Sequence, residues 1–188
     1  MAAIVKKCAL FSVLLMTAFT GIYQFYSNAV VLALAVTAGT TAYHFCMRLV
    51  VGTVVNQLPG NWRDWHHFWY QPCVFEAPLY RFLRVKKWKK HMPTYVPEQF
   101  DLKTHSADAL LQAGCQAEVV HEVIMVCSFF PLFFIRFFGA APVFILTSAA
   151  AALFDSTFVI IQRFNRPRLV RLLEHWQRRQ AVERKNMQ

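Results

Sequence analysis

Four stretches of this chain are nearly unbroken runs of apolar residues, and the polar residues gather between and after them. The runs cover residues 8–26, 29–55, 119–138 and 140–161. A helix needs roughly 20 apolar residues to cross about 30 Å of hydrocarbon, and each run is near or above that length. The pattern predicts an all-α protein, a multi-pass transmembrane helical bundle of about four spans. It reads as one integral membrane domain over residues 1–188. Lys6 and Lys7 before the first run, with Ser27-Asn28-Ala29 after it, also fit a cleaved signal peptide. The near-bilayer length of that run favours a retained helix.

Local signals set the boundaries. Asn56, Pro59 and Gly60 end the second run. Ser106 is a good N-cap with Asp108 in the first turn, so a helix starts there and runs into the third span. Pro131 predicts a kink, and Gly139–Pro142 a tight turn before the fourth span. Beyond Ile161, Asn165 reads as a cap and Pro167 as a first-turn residue. Leu169, Leu172, Leu173 and Trp176 then recur at helical spacing, with Arg171, Arg178 and Arg179 mostly off that stripe. Residues 166–183 are thus expected to form a separate C-terminal amphipathic helix at the membrane interface.

Charge adds an orientation. The chain is 56% hydrophobic yet carries a formal net charge of +10. Of the twenty lysines and arginines, eighteen fall in the N-terminal tail, the central stretch 56–118 or the segment from Arg163 onward. With four spans these regions share one side, so both termini and the basic stretch are expected on the cytoplasmic face of the cell membrane. Basic residues beside apolar spans point to membrane lipids and phosphorylated ligands as partners, not to nucleic acid. The five cysteines lack zinc or disulfide spacing. No Walker loop or G-x-S-x-G elbow is present, and no cofactor or metal is expected.

Ionisable groups against hydrocarbon cost roughly 2.5–3.5 kcal/mol on insertion scales, so each needs a reason. Glu118, His121 and Glu122 open the third span at spacings of three and four, on one helical face. Gln162, Arg163, Asn165 and Arg166 end the fourth span, and Arg48 and Asn56 lie toward the end of the second. The topology places all of these at one membrane level. His121 is a candidate general base with Glu118 as its orienting carboxylate. Arg163, Asn165 and Arg166 are candidate donor or oxyanion contacts. Lys86 and Lys89 around Trp88 are candidate phosphate contacts. Duller roles fit the same residues: structural ion pairs for Glu118 and Glu122 with Arg48 or Arg163, a buried partner for Asp155, and topology-fixing lysines.

Three ordered segments are similar to a known family. They are Phe75-Glu76 with Leu79-Tyr80 and Val85-Lys86-Lys87-Trp88-Lys89; Ala117-Glu118-Val119-Val120-His121; and Ile160-Ile161-Gln162-Arg163-Phe164-Asn165-Arg166-Pro167-Arg168-Leu169. The chain resembles the glycosyl-4,4'-diaponeurosporenoate acyltransferase family. Glu122 stands where that family has tryptophan, Gln116 where it has a basic residue, and Asp155-Ser156-Thr157 where it has Asn-x-Pro. The resemblance implies Trp88, Lys89, Glu118, His121, Gln162, Arg163, Asn165 and Arg166 as site residues. It also implies transfer of a fatty acyl group, with acyl-CoA the expected donor, to a hydroxyl of a glycosylated carotenoid or other lipid-linked acceptor. A non-catalytic scaffold or lipid-binding subunit is the alternative.

Overall fold

The structure is a computed structural model, and it describes residues 2–58, 61–92 and 105–186. Two long helices come first, α1 (Ala2–Phe25) and α2 (Ala29–Gln57). Asn28 starts α2 by accepting the Val30 backbone N–H at 2.7 Å, as N-cap side chains do. Two short helices follow, α3 (Glu76–Phe82) and α4 (Val85–Trp88), among single 3-10 turns. Then come α5 (Ala107–Cys127), the short α6 (Ile135–Phe138) and the long α7 (Ala141–Asn186). No strand occurs among the described residues. Pro59 and Gly60, expected to end the second span, and Lys103 of the basic stretch lie outside the described residues.

Among the described residues, four segments are long and apolar enough to cross a membrane: Ala3–Phe25, Ala29–Gln57, Ala107–Phe138 and Ala141–Glu183. Their outer surfaces carry Phe11, Leu146, Leu153, Phe133 and Phe137, each more than 60% exposed. Large apolar side chains on that scale suit hydrocarbon, not water. The third segment behaves as Pro131 predicts. Helix α5 stops at Cys127, and a 3-10 turn at Phe130–Phe134 carries Pro131 near its start before α6 resumes.

The expected break before the C-terminal amphipathic stretch is absent. Residues 166–183 are helical but continuous with the fourth span, and Pro167 sits inside α7. Proline removes one N–H from a helix ladder. Here Arg163 and Arg166, on the turn before it, are both held by carboxylates, which fixes that turn in helical form.

Contacts group the chain into two compact units. The first comprises residues 1–58 and 120–157, the second 59–119 and 158–188. In the first, α1 packs mainly on α2. The contact uses small residues: Ala9, Ser12, Ala38 and Ala42 are buried. Gly39 lies so close to Met16 that an added Cβ would sit 3.4 Å from its sulfur. Small side chains let apolar helices approach without a hydrophobic drive between them. In the second unit Tyr70, Val85, Leu110, Leu111 and Cys115 form the buried core.

The turn joining α6 to α7 depends on Gly139, whose φ is +68° and ψ −107°. Side chains avoid that region because Cβ meets the backbone. Gly139→Ala is expected to lower stability by about 1–2 kcal/mol, read as an earlier thermal unfolding midpoint in detergent micelles. An unchanged midpoint would mean the turn relaxes to another conformation.

Candidate functional site

In the second unit the organising group is Glu118, fully buried on α5. Its Oε1 accepts from Arg163 Nη1 at 2.8 Å, and its Oε2 accepts from Arg166 Nη2. Arg163 then donates Nε and Nη2 to Glu76 Oε1 at 2.9 and 2.6 Å. It also donates Nη1 and Nη2 to the carbonyls of Trp69 and Gln71 at 3.1 and 3.2 Å. A guanidinium has five N–H donors, and these contacts engage all of them. Arg166 Nη1 donates to the Tyr70 carbonyl at 2.8 Å, and its guanidinium lies 4.9 Å from the Tyr70 ring centroid. Two carboxylates thus face two arginines, and the cluster is neutral. Burial of ions requires that balance.

Around this cluster stand the other predicted residues. Tyr80 donates its hydroxyl to Glu76 Oε2 at 2.9 Å. Burial pushes the Glu76 carboxyl up, but hydrogen bonds from Arg163, Tyr80 and the Cys73 backbone outweigh it, and it is held below its usual value. Lys89 donates to Asn165 Oδ1 at 2.6 Å and sits 4.6 Å from the Phe164 ring centroid. Burial, then the nearby cations Arg168 and Lys86, lower Lys89 from its ordinary value. Trp88 donates its indole N–H to the Leu83 carbonyl at 3.0 Å. Gln162 lies against Gly114, where an added Cβ would come within 3.5 Å of its Oε1.

The first unit holds a second polar cluster. Asp155, 1% exposed on α7, places Oδ1 2.9 Å from His121 Nδ1 and accepts from Arg48 Nη2 at Oδ2. Arg48 also donates Nη1 to the His44 carbonyl at 3.1 Å, one turn back on α2. Asp155 and Arg48 form an ion pair. An ionised carboxylate only accepts, so Nδ1 of His121 carries the proton. In the neutral ring the lone pair is therefore on Nε2. Glu122 is half-buried one residue on.

The predicted residues therefore divide between two clusters. Glu118 meets Arg163 and Arg166, Asn165 meets Lys89, and the carboxylate on His121 Nδ1 is Asp155. Three-residue spacing on the same helix favours Glu118 as the orienter. Spacing along one helix says nothing about a carboxylate on another. The rule that intramembrane ionisable groups pair does mark Asp155, Arg48 and His121 as mutual partners. Glu76 stands in the first family-like segment, whereas the Trp69, Tyr70 and Gln71 carbonyls carry no sequence signal.

Two outcomes follow. Glu118→Gln leaves buried Arg166 without its carboxylate and Arg163 with Glu76 alone, and is expected to cost about 3–5 kcal/mol in a denaturant titration of micellar protein. Glu76→Gln is expected to be pH-dependent. A carboxyl whose folded pKa is depressed contributes stability above its unfolded pKa and loses it as pH falls through the folded value. The gap between wild type and Glu76→Gln is thus full at neutral pH and closes under strong acid. A gap independent of pH would contradict the ionised pairing.

A family model described as glycosyl-4,4'-diaponeurosporenoate acyltransferase matches residues 66–175, more than half of the 188-residue chain. The matched range contains Glu76, Lys89, Glu118, His121, Asp155, Arg163 and Arg166, while Arg48 precedes it. No curated protein matches the chain, and no solved structure does. An acyltransferase with four apolar helices of membrane-crossing length, the chain belongs to the glycosyl-4,4'-diaponeurosporenoate acyltransferase family.

Proposed function

We propose that the protein transfers a fatty acyl group from an activated thioester, with acyl-CoA the donor, to a hydroxyl of a glycosylated carotenoid or a related lipid-linked acceptor. The observation that carries this reading is the His121–Asp155–Arg48 arrangement. A histidine whose Nδ1–H points at a buried carboxylate has the geometry of a general base. Asp155 takes the orienting role expected of Glu118, and Arg48 pairs with its other oxygen.

In the reaction, Nε2 of His121 removes the proton of the acceptor hydroxyl as that oxygen attacks the thioester carbonyl. A C–O bond forms and the C–S bond breaks. The proton passes from the imidazolium to the departing sulfur, giving a thiol. Asp155 stays ionised throughout and stabilises the transient imidazolium.

Lys86, Lys89 and Arg168 are assigned to the phosphates of the donor, since two separate segments bring like charges near one another and phosphate would offset their repulsion. Trp88 supports that strand of contacts as an interfacial aromatic. Arg163 and Arg166 hold the second unit together through Glu118 and Glu76. Gln162, Asn165 and Glu122 remain assigned to substrate contact. The positive-inside bias places both termini and the donor site on the cytoplasmic face.

The direct test is acyl transfer by purified protein supplied with labelled acyl-CoA and a carotenoid glycoside. His121→Ala is expected to reduce the rate by about 10²–10⁴-fold with the helical circular dichroism unchanged. Transfer at the wild-type rate would remove His121 from the chemistry, and no transfer by the wild type would favour a binding role.

A further inference from the structure

The early end of α5 leaves a groove in the first unit that the proposed chemistry does not use. The helix stops at Cys127, and the 3-10 turn that follows brings Phe130 and Phe133 to the groove wall. The resulting space is about 690 Å³, within the range of small-ligand sites, and is lined by Tyr43, Val126, Cys127, Phe130 and Phe133 among others. One polar group of the lining is accounted for: the Tyr43 hydroxyl donates to the Cys127 carbonyl at 2.9 Å, satisfying an acceptor orphaned by the helix end.

The walls are flat and braced. Tyr43 and Phe130 stack at 6.0 Å between centroids with 21° between planes. Phe130 is buttressed edge-on by Phe133 at 5.8 Å and Phe134 at 6.0 Å. Such a surface is reached by every lipid tail in a bilayer, so a specific occupant must compete with fluid chains. A saturated chain entering a flat slot loses rotational freedom about each of its bonds. A conjugated chain is already rigid and planar, loses little, and stacks on aromatic faces. Position agrees. Val126 lies five residues beyond His121 on α5, about 7.5 Å along the axis at 1.5 Å per residue. Tyr43 of the groove wall also precedes His44 on α2, whose carbonyl accepts from Arg48 of the His121 cluster.

We infer that this groove is the binding site for the conjugated polyene chain of the acceptor. The inference rests on the acyl-acceptor reading above. It assigns the polyene to the first unit and leaves the saturated acyl chain of the donor elsewhere.

The test is binding, read without turnover. Full-length protein in nanodiscs of saturated phosphatidylcholine is titrated with a glycosylated linear polyene. A flexible achiral chromophore acquires visible circular dichroism when a protein holds it in one twist. The expected result is an induced signal in wild type. Val126→Trp, which fills the groove, should weaken binding at least tenfold. Phe130→Leu, which keeps apolar bulk but removes the plane, should do likewise. A saturated glycolipid of equal chain length should fail to displace the polyene. Induced signal untouched by either substitution, equal displacement by the saturated chain, or no signal in wild type overturns the inference. Groove-dependent binding without any acyl transfer would instead overturn the transferase mechanism and leave the groove assignment standing.

Discussion

An ionised carboxylate cannot lie among apolar helices unless a cation is brought to it, because removal from water costs several kcal/mol per ion. That constraint shapes both units. Asp155 is held between Arg48 and His121 in the first, and Glu118 between Arg163 and Arg166 in the second. In each case the partners come from segments far apart in sequence, so pairing also fixes which helix faces meet. The pairs contribute to specificity of packing where apolar contacts alone would permit many rotations of one helix against another.

The two clusters differ in how fully their side chains are enclosed. In the second unit all five N–H groups of Arg163 are engaged by Glu76, Glu118 and backbone carbonyls. Such a guanidinium ties irregular chain around residues 69–76 to α7 and is poorly suited to bind a moving substrate. In the first unit His121 is partly accessible, with 23% of its side chain exposed, and its orientation is set by Asp155. A ring held at Nδ1 is what the proposed general base requires. The sulfur leaving group and the attacking hydroxyl belong to the substrates.

Much of the fold was legible in the residues because hydrocarbon imposes length and composition directly. The runs that begin near Cys8, Ala29, Val119 and Ala140 all lie in helices, and Pro131 and Gly139 mark real interruptions. Pro167 misled for a physical reason: its helix-breaking tendency is outweighed locally by the ion pairs of Arg163 and Arg166. The family was legible because the Gln162 to Leu169 motif is dense, and the matched range includes it. The pairing of His121 was not. Glu118 was near in sequence, whereas Asp155 comes from α7 and becomes a neighbour only after folding.

The central claim is that Asp155 is ionised inside the first unit, held so by Arg48, and thereby orients His121. Infrared difference spectroscopy of protein labelled with ¹³C-carboxyl aspartate, comparing wild type with Asp155→Asn, reads that state directly. The account predicts that at neutral pH the substitution removes an antisymmetric carboxylate band, and that Arg48→Met shifts intensity to the carbonyl band of a carboxylic acid. A wild-type difference confined to the acid carbonyl band would show a protonated Asp155 and contradict it.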